Sequence, residues 1–188
     1  MADTTRNSSW FWGPLSRLGI TVAAATFLAD QIHKWWMLLG YGIREKGRVA
    51  VTPFLDLVFA LNKGVSYSFL SGSSQVWQIA LAAFAATAAL ALAVWLARGV
   101  HDRLTALSIG LIMGGALGNG LDRLLLGGVA DFFSFHAFGF YWYVFNIADV
   151  AIVAGVIGLL YESLTSGRND SPARPLTASA TKPPQSER

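Results

Sequence analysis

Four stretches of the chain, residues 15–39, 76–97, 104–121 and 142–161, stay apolar long enough to cross the roughly 30 Å hydrocarbon core of a bilayer, which takes about 20 helical residues. Residues 76–97 carry no charge and are rich in alanine, which favours helix and close packing against neighbours. Asp30, His33 and Lys34 interrupt the first stretch. Its apolar run leads into Lys34-Trp35-Trp36 and not into a small-residue cleavage site, so it is expected to remain as a permanent helix. Residues 48–62, rich in Val, Phe and Leu around Pro53, predict one or two short strands. The following Gly64-Val65-Ser66-Tyr67-Ser68-Phe69-Leu70 predicts a turn or short interfacial helix. From Ser166 onward Ser, Thr, Pro and Arg dominate, the composition of a disordered tail. The pattern predicts an all-α polytopic membrane protein with four transmembrane helices, a small extracytoplasmic β-rich cap over residues 40–75 and a short interfacial helix. The expected organisation is an N-terminal segment 1–14, a four-helix membrane domain 15–161 and a tail 162–188.

Composition agrees with a membrane chain. Of 188 residues, 54% are hydrophobic and 13% charged, about half the roughly 25% charge of soluble chains, and the mean hydropathy is +0.47. The net charge of +3 does not point to nucleic acid, because the basic residues are scattered and form no stripe. They report orientation instead, since Lys and Arg favour the cytoplasmic side. With the N-terminus inside, Arg6, Arg17, Arg98, Arg103, Arg168, Arg174, Lys182 and Arg188 lie inside, against Arg44, Lys46, Arg48, Lys63 and Arg123 outside. Both termini are therefore expected in the cytoplasm, and Trp35, Trp36, Tyr41, Trp77, Tyr141, Trp142 and Tyr143 form an outer aromatic belt. The absence of cysteine excludes disulfides, thiolate catalysis, iron–sulfur clusters and cysteine-ligated zinc. Three histidines, His33, His101 and His136, leave little for a metal site, and no metal is expected.

Ionisable groups are costly in a bilayer, so each needs a partner or a task. Tracing the four spans brings Asp30, Lys34, Asn119, Asp122, Arg123, Asp131, Asn146 and Asp149 towards one depth in the outer leaflet. Asp30 and Lys34, at i, i+4 with the acid first, read as a structural ion pair. Asp122 beside Arg123 reads as a buried ion pair. Asp149 has no basic residue within a turn on its own helix, and its nearest plausible ionisable neighbour is Asp131. Two carboxyls forced together in a poorly solvated site cannot both ionise, so one keeps a proton while the other acts as base. That is the chemistry of an aspartic protease; a transporter's proton relay and a structural hydrogen-bond network are the alternatives. A relay needs acids spaced across the whole bilayer, whereas these sit on the outer side. His136, alone among Phe residues, reads as an interfacial side chain, and Ser66, Ser68 and Ser71 lack a base at a telling spacing apart from Lys63.

These residues lie in blocks that resemble the bacterial lipoprotein signal peptidases, or signal peptidase II. Gly118-Asn119-Gly120-Leu121-Asp122-Arg123, continuing through Gly127 and Val129 to Asp131-Phe132, is similar to the family's G-N-x-x-D-R-x-x-x-G-x-V-x-D-F block. Phe145-Asn146-Ile147-Ala148-Asp149 is similar to its F-N-x-A-D. Asp30-Gln31-Ile32-His33-Lys34 resembles D-Q-x-x-K, and Asn62-Lys63-Gly64 resembles the opening of N-x-G-x-A-F. The likeness spans about residues 15–160. It implies an intramembrane aspartic endopeptidase that hydrolyses the bond before the diacylglyceryl-modified cysteine of a prolipoprotein. It also implies a location in the bacterial inner membrane with the site towards the periplasm. Asp131 and Asp149 fall on the family's catalytic positions, as the burial argument also proposes. Asn62, Gly64, Asn119, Asp122, Arg123 and Asn146 fall on site-lining or supporting positions, and Asp30 and Lys34 on a supporting pair. The partners implied are prolipoprotein substrate and membrane lipid, with no cofactor and no nucleic acid, and a monomer is expected. The chain departs from the family pattern at Val65-Ser66-Tyr67, which stands in place of x-A-F, and in its long tail.

Overall fold

The computed structural model describes residues 12–64 and 74–169. Helix α1, Ser16–Trp35, runs into a π-helical turn, Trp36–Gly40, and a one-turn helix α2, Ile43–Lys46, which the sequence pattern did not predict. Strands β1, Val49–Thr52, and β2, Leu55–Asn62, follow. Then come helices α3, Gln75–Gly99, and α4, Arg103–Leu126, strands β3, Val129–Ala137, and β4, Phe140–Phe145, and helix α5, Ile147–Asn169. Among the described residues three helices, α3, α4 and α5, are long and apolar enough to cross a membrane. Helix α1 is of similar length but buries Asp30, Gln31 and Lys34 along one side.

Local chemistry sets the boundaries. Ser74 caps α3 by accepting the Trp77 N–H, and Asp102 caps α4 by accepting the Thr105 N–H at 2.7 Å. Gly127, at φ +71°, ends α4 in the left-handed conformation that glycine adopts without steric penalty. The last helix starts at Ile147, not at residue 142 as the apolar run suggested. Phe140–Phe145 is a run of aromatic and β-branched residues that pairs as a strand, and Asn146 then opens the helix.

The cap is correspondingly larger than residues 40–75. The four strands form one antiparallel sheet in the order β1-β2-β3-β4, so half of it comes from β3, which lies between the third and fourth expected spans, and from β4, most of which falls in the span expected at 142–161. The tail expected over 162–188, disordered from Ser166, begins too early, because α5 continues as helix through Asn169. The predicted interfacial helix after Gly64, the Val65-Ser66-Tyr67 departure and the tail beyond residue 169 lie outside the described residues.

Helix α4 is the central post, packed by α1, α3 and α5. Glycine makes this possible. A Cβ on Gly110 would meet the Gly19 carbonyl oxygen at 2.6 Å, one on Gly114 would meet the Ala23 carbonyl oxygen, and one on Gly115 would meet the Ala148 carbonyl oxygen at 2.6 Å. Backbones thus approach where small residues recur every four positions, as in other membrane bundles. The end away from the sheet is dry, filled by Ala23, Ala89, Leu96, Val100, Ala106, Ile109 and Met113. The buried Asp30, Gln31 and Lys34 of α1 and Asn119 and Asp122 of α4 gather at the sheet end with Asp149 in the first turn of α5.

Candidate active site

The site is assembled where α4 ends, α5 begins and β3 passes between them. Asn146 and Asp149 form a reciprocal cap on α5. Asn146 Oδ1 accepts the Asp149 N–H at 2.9 Å, and Asp149 Oδ2 accepts the Asn146 N–H at 3.3 Å. The next free N–H of the helix, on Ala148, donates to Asp30 Oδ1 of α1 at 3.0 Å. Capping thus holds Asp149 at the mouth of its helix.

Two amides then join the carboxyls. Asn119 Nδ2 donates to Asp149 Oδ1 at 2.8 Å, and Asn146 Nδ2 donates to Asp131 Oδ1 at 2.6 Å. Asn146 Nδ2 also reaches Asn119 Oδ1 at 3.2 Å, linking the two amides. Asn62, at the end of β2, hydrogen-bonds Asp131. Its orientation is set by the Gly64 N–H, which donates to Asn62 Oδ1 at 3.0 Å and leaves the amide NH₂ for the carboxylate. Gly64 has φ +95°, and a Cβ there would lie 2.9 Å from Leu81 of α3, so glycine fits both the bend and the contact.

Asp131 is 2% exposed and Asp149 is half-buried. Burial first, and the charge of Asp149 second, push the Asp131 carboxyl up to about 6, against the opposing hydrogen bonds from Asn146 and Asn62 and the charge of Lys34. A carboxyl so placed keeps its proton into the mildly acidic range and can donate it.

Beneath this pair lies a buried ion cluster. Lys34 Nζ is 2.8 Å from Asp30 Oδ2, 2.8 Å from Asp122 Oδ2 and 3.0 Å from Asn119 Oδ1. Asp122 also accepts the Ala130 N–H at 3.1 Å, tying α4 to β3 just before Asp131. The expected Asp30–Lys34 pair is present, but Asp122 pairs with Lys34 and not with its neighbour Arg123. Consecutive helical residues point about 100° apart, so Asp122 faces α1 while Arg123 Nη1 turns back to the Asn119 carbonyl at 3.0 Å. Arg123 remains within electrostatic range of Asp149, Asp122 and Asp131.

Sequence reasoning gave no role to Gln31, whose Nε2 reaches Asp30 Oδ2 at 3.2 Å, the Gly118 carbonyl at 3.3 Å and Asp122 Oδ1 at 3.1 Å. Its place inside the D-Q-x-x-K block was the available signal. Gln78 was also missed. From α3 its Nε2 donates to the Lys63 carbonyl at 2.6 Å and fixes the strand end that carries Asn62. Nothing in its local pattern marks it. His136 lies outside the cluster, stacked on Tyr141 and 3.3 Å from Asp56 Oδ1. That Asp56 carboxyl is held below the usual carboxylate range chiefly by its hydrogen bond from Arg48.

The family model for signal peptidase (SPase) II matches residues 22–165. A lipoprotein signal peptidase of Methylocella silvestris is 50% identical over 151 residues, covering 80% of this chain and 88% of its own length. One from Rhodopseudomonas palustris is 49% identical over 152 residues, covering 79% and 92%. A solved bacterial membrane enzyme, obtained by the in meso method at 2.3 Å resolution, matches with a TM-score of 0.68 at 27% identity, covering 84% of this chain and 94% of that one. With the four sequence blocks meeting in one cluster and the match running through all of them, the chain belongs to the signal peptidase II family.

Proposed function

We propose that the chain is an inner-membrane peptidase that removes signal peptides from prolipoproteins, cutting before the diacylglyceryl-modified cysteine with Asp131 and Asp149 as a catalytic dyad. The observation that carries this reading is the Asn119–Asn146 amide bridge, which reaches Asp149 on one side and Asp131 on the other. A water held between the carboxyls gives a proton to Asp149 as its oxygen attacks the scissile carbonyl carbon, while Asp131 protonates the carbonyl oxygen. As the tetrahedral diol collapses, Asp131 takes back a hydroxyl proton and Asp149 protonates the departing amine nitrogen. The C–N bond breaks, and both carboxyls return to their starting state.

The topology that fits this chemistry has four spans, with α1 as the first and both termini in the cytoplasm. Arg17, Arg98 and Arg103 lie at the bundle end opposite the carboxylates, which supports placing that end inside. The substrate's acyl chains stay in the outer leaflet, and the scissile bond then lies at the depth of the dyad. A proton relay would need polar groups continuing through the dry half of the bundle, where apolar side chains form the core.

The test compares two substrates in detergent, a signal peptide with diacylglyceryl-cysteine and the same peptide with unmodified cysteine. Cleavage before the modified cysteine alone is expected. Equal cleavage of both would remove the lipid from the recognition, and no cleavage of either by folded protein would overturn the reading.

A further inference from the structure

The β3–β4 hairpin carries a feature that neither the fold nor the dyad requires. Its turn has two residues, Phe138 and Gly139, between the paired Ala137 and Phe140. Both have positive φ, +52° and +81°, the pattern of a type I′ turn in which Asn-Gly or Asp-Gly is preferred. Phe138 is the only non-glycine residue with positive φ among the described residues, and its ring is fully exposed at 108%. A bulky residue in that conformation is an outlier, and the ring of this one stands clear of the described residues.

The surroundings show what compensates. Phe140 and Trp142 are each at least 66% exposed, and they pack edge to face with centroids 5.9 Å apart. With Phe54, Phe135 and Phe145 they line an open apolar hollow of about 730 Å³ at the hairpin. No charged residue occurs from 137 to 148, and β4 passes through Asn146 directly into the apolar helix α5. An uncharged, Trp-containing aromatic surface continuous with a membrane-type helix matches the headgroup–acyl boundary, where such rings concentrate. The ionisable groups beside it, Arg48, Asp56 and His136, pair among themselves.

We propose that the hairpin is a membrane foot: Phe138, flanked by Phe140 and Trp142, inserts into the outer-leaflet boundary and fixes the height of Asp131 on the same strand. Phe138, in the turn just beyond β3, is seven residues from Asp131, about 23 Å at strand spacing, so the strand acts as a strut between lipid and site. The inference rests on the peptidase reading for its consequence, since the height of Asp131 matters because the scissile bond is itself held at a lipid depth. The insertion does not depend on that reading.

The cysteine-free chain makes the test direct. Full-length Phe138→Cys, labelled with an environment-sensitive fluorophore in phosphatidylcholine–phosphatidylglycerol vesicles, is expected to emit as in an apolar phase and to be quenched by lipids brominated near the headgroup. Glu45→Cys, on exposed α2, serves as the water-facing reference. Quenching at 138 no stronger than at 45 would overturn the foot, whether or not the protein cleaves anything. The second arm is Phe138→Asn, which places a preferred residue in the turn and so is expected to leave thermal stability unchanged or raised. Its kcat/KM on lipid-modified substrate is expected to fall about tenfold in vesicles, the order set by withdrawing one phenyl ring from an apolar phase, and to match the native chain in micelles. Equal activity in vesicles would overturn the strut role, and an equal loss in micelles would assign Phe138 to the fold or to substrate contact instead.

Discussion

Asn146 serves two functions at once, as the cap of α5 and as the donor that holds Asp131. Two substitutions separate them. Asn146→Ala is expected to lower stability by about 1 kcal/mol through the lost cap and to reduce kcat by about 10²-fold or more through the lost positioning. Asn146→Ser keeps a capping oxygen but cannot donate as the amide does, so thermal unfolding in detergent should recover while kcat stays low. Asp131 carries a separate signature. Its folded carboxyl titrates near 6 against an ordinary value of 3.8, so ionising it opposes folding. The penalty is present in full above about pH 6, shrinks as pH falls, and vanishes below the unfolded value. Asp131→Asn should therefore be more stable than the native chain at pH 8, by at most ~3 kcal/mol, with the difference disappearing by about pH 3.5 in a pH series of melting temperatures. An unchanged difference across that range would mean that Asp131 is not held at a raised value. Both aspartates were legible in the sequence because each lacked a basic neighbour on its own segment. The partner of Asp122 was not, since Lys34 lies on another helix and only packing brings it close.

At the scale of elements, α4 decides how closely everything else can gather. Gly110, Gly114 and Gly118 fall one turn apart on the side facing α1, and a Cβ on Gly118 would lie 2.6 Å from Asp30 Oδ2. Gly120, on the same helix, has Ala85 Cβ as its nearest obstacle at an ordinary 3.5 Å. Gly114→Ala is thus expected to destabilise by about 1–3 kcal/mol through overpacking against backbone. Gly120→Ala should be neutral or gain up to ~1 kcal/mol from helix propensity. Thermal unfolding of the two variants in one detergent checks the contrast, and an equal loss in both would deny the glycine face its role. The four-residue spacing of these glycines was readable in advance, yet alanine-rich α3 drew the expectation of close packing instead. The start of α5 was misplaced for a related reason. Apolar β4 and apolar α5 form one continuous run, and only the Asn146…Asp149 capping pattern marks where one period replaces the other.

On the scale of the whole molecule, the bundle has a dry half and a polar end, with the sheet standing over the polar end. Sequence tracing placed Asp30, Asn119, Asp122, Asp131, Asn146 and Asp149 at one depth because helices of similar length alternate in direction, and counting residues then gives depth. It could not show the sheet, since β3 pairs with β2 some 70 residues earlier, a register that depends on contacts remote in the chain, and β4 joins the sheet only through β3. On the proposed reading Asp131 and Asp149 are the reacting pair and Asp122 is a support, held by Lys34, Gln31 and the Ala130 N–H. The most direct measurement is cleavage of a diacylglyceryl-modified signal-peptide substrate by the native chain, Asp131→Asn, Asp149→Asn and Asp122→Asn, each shown to be folded in the same detergent. Loss of about 10⁴-fold or more is expected for the first two variants, because each removes a proton-transfer partner, with measurable activity left in Asp122→Asn. Near-native cleavage by either Asp131→Asn or Asp149→Asn would contradict the dyad and move the chemistry to Asp122.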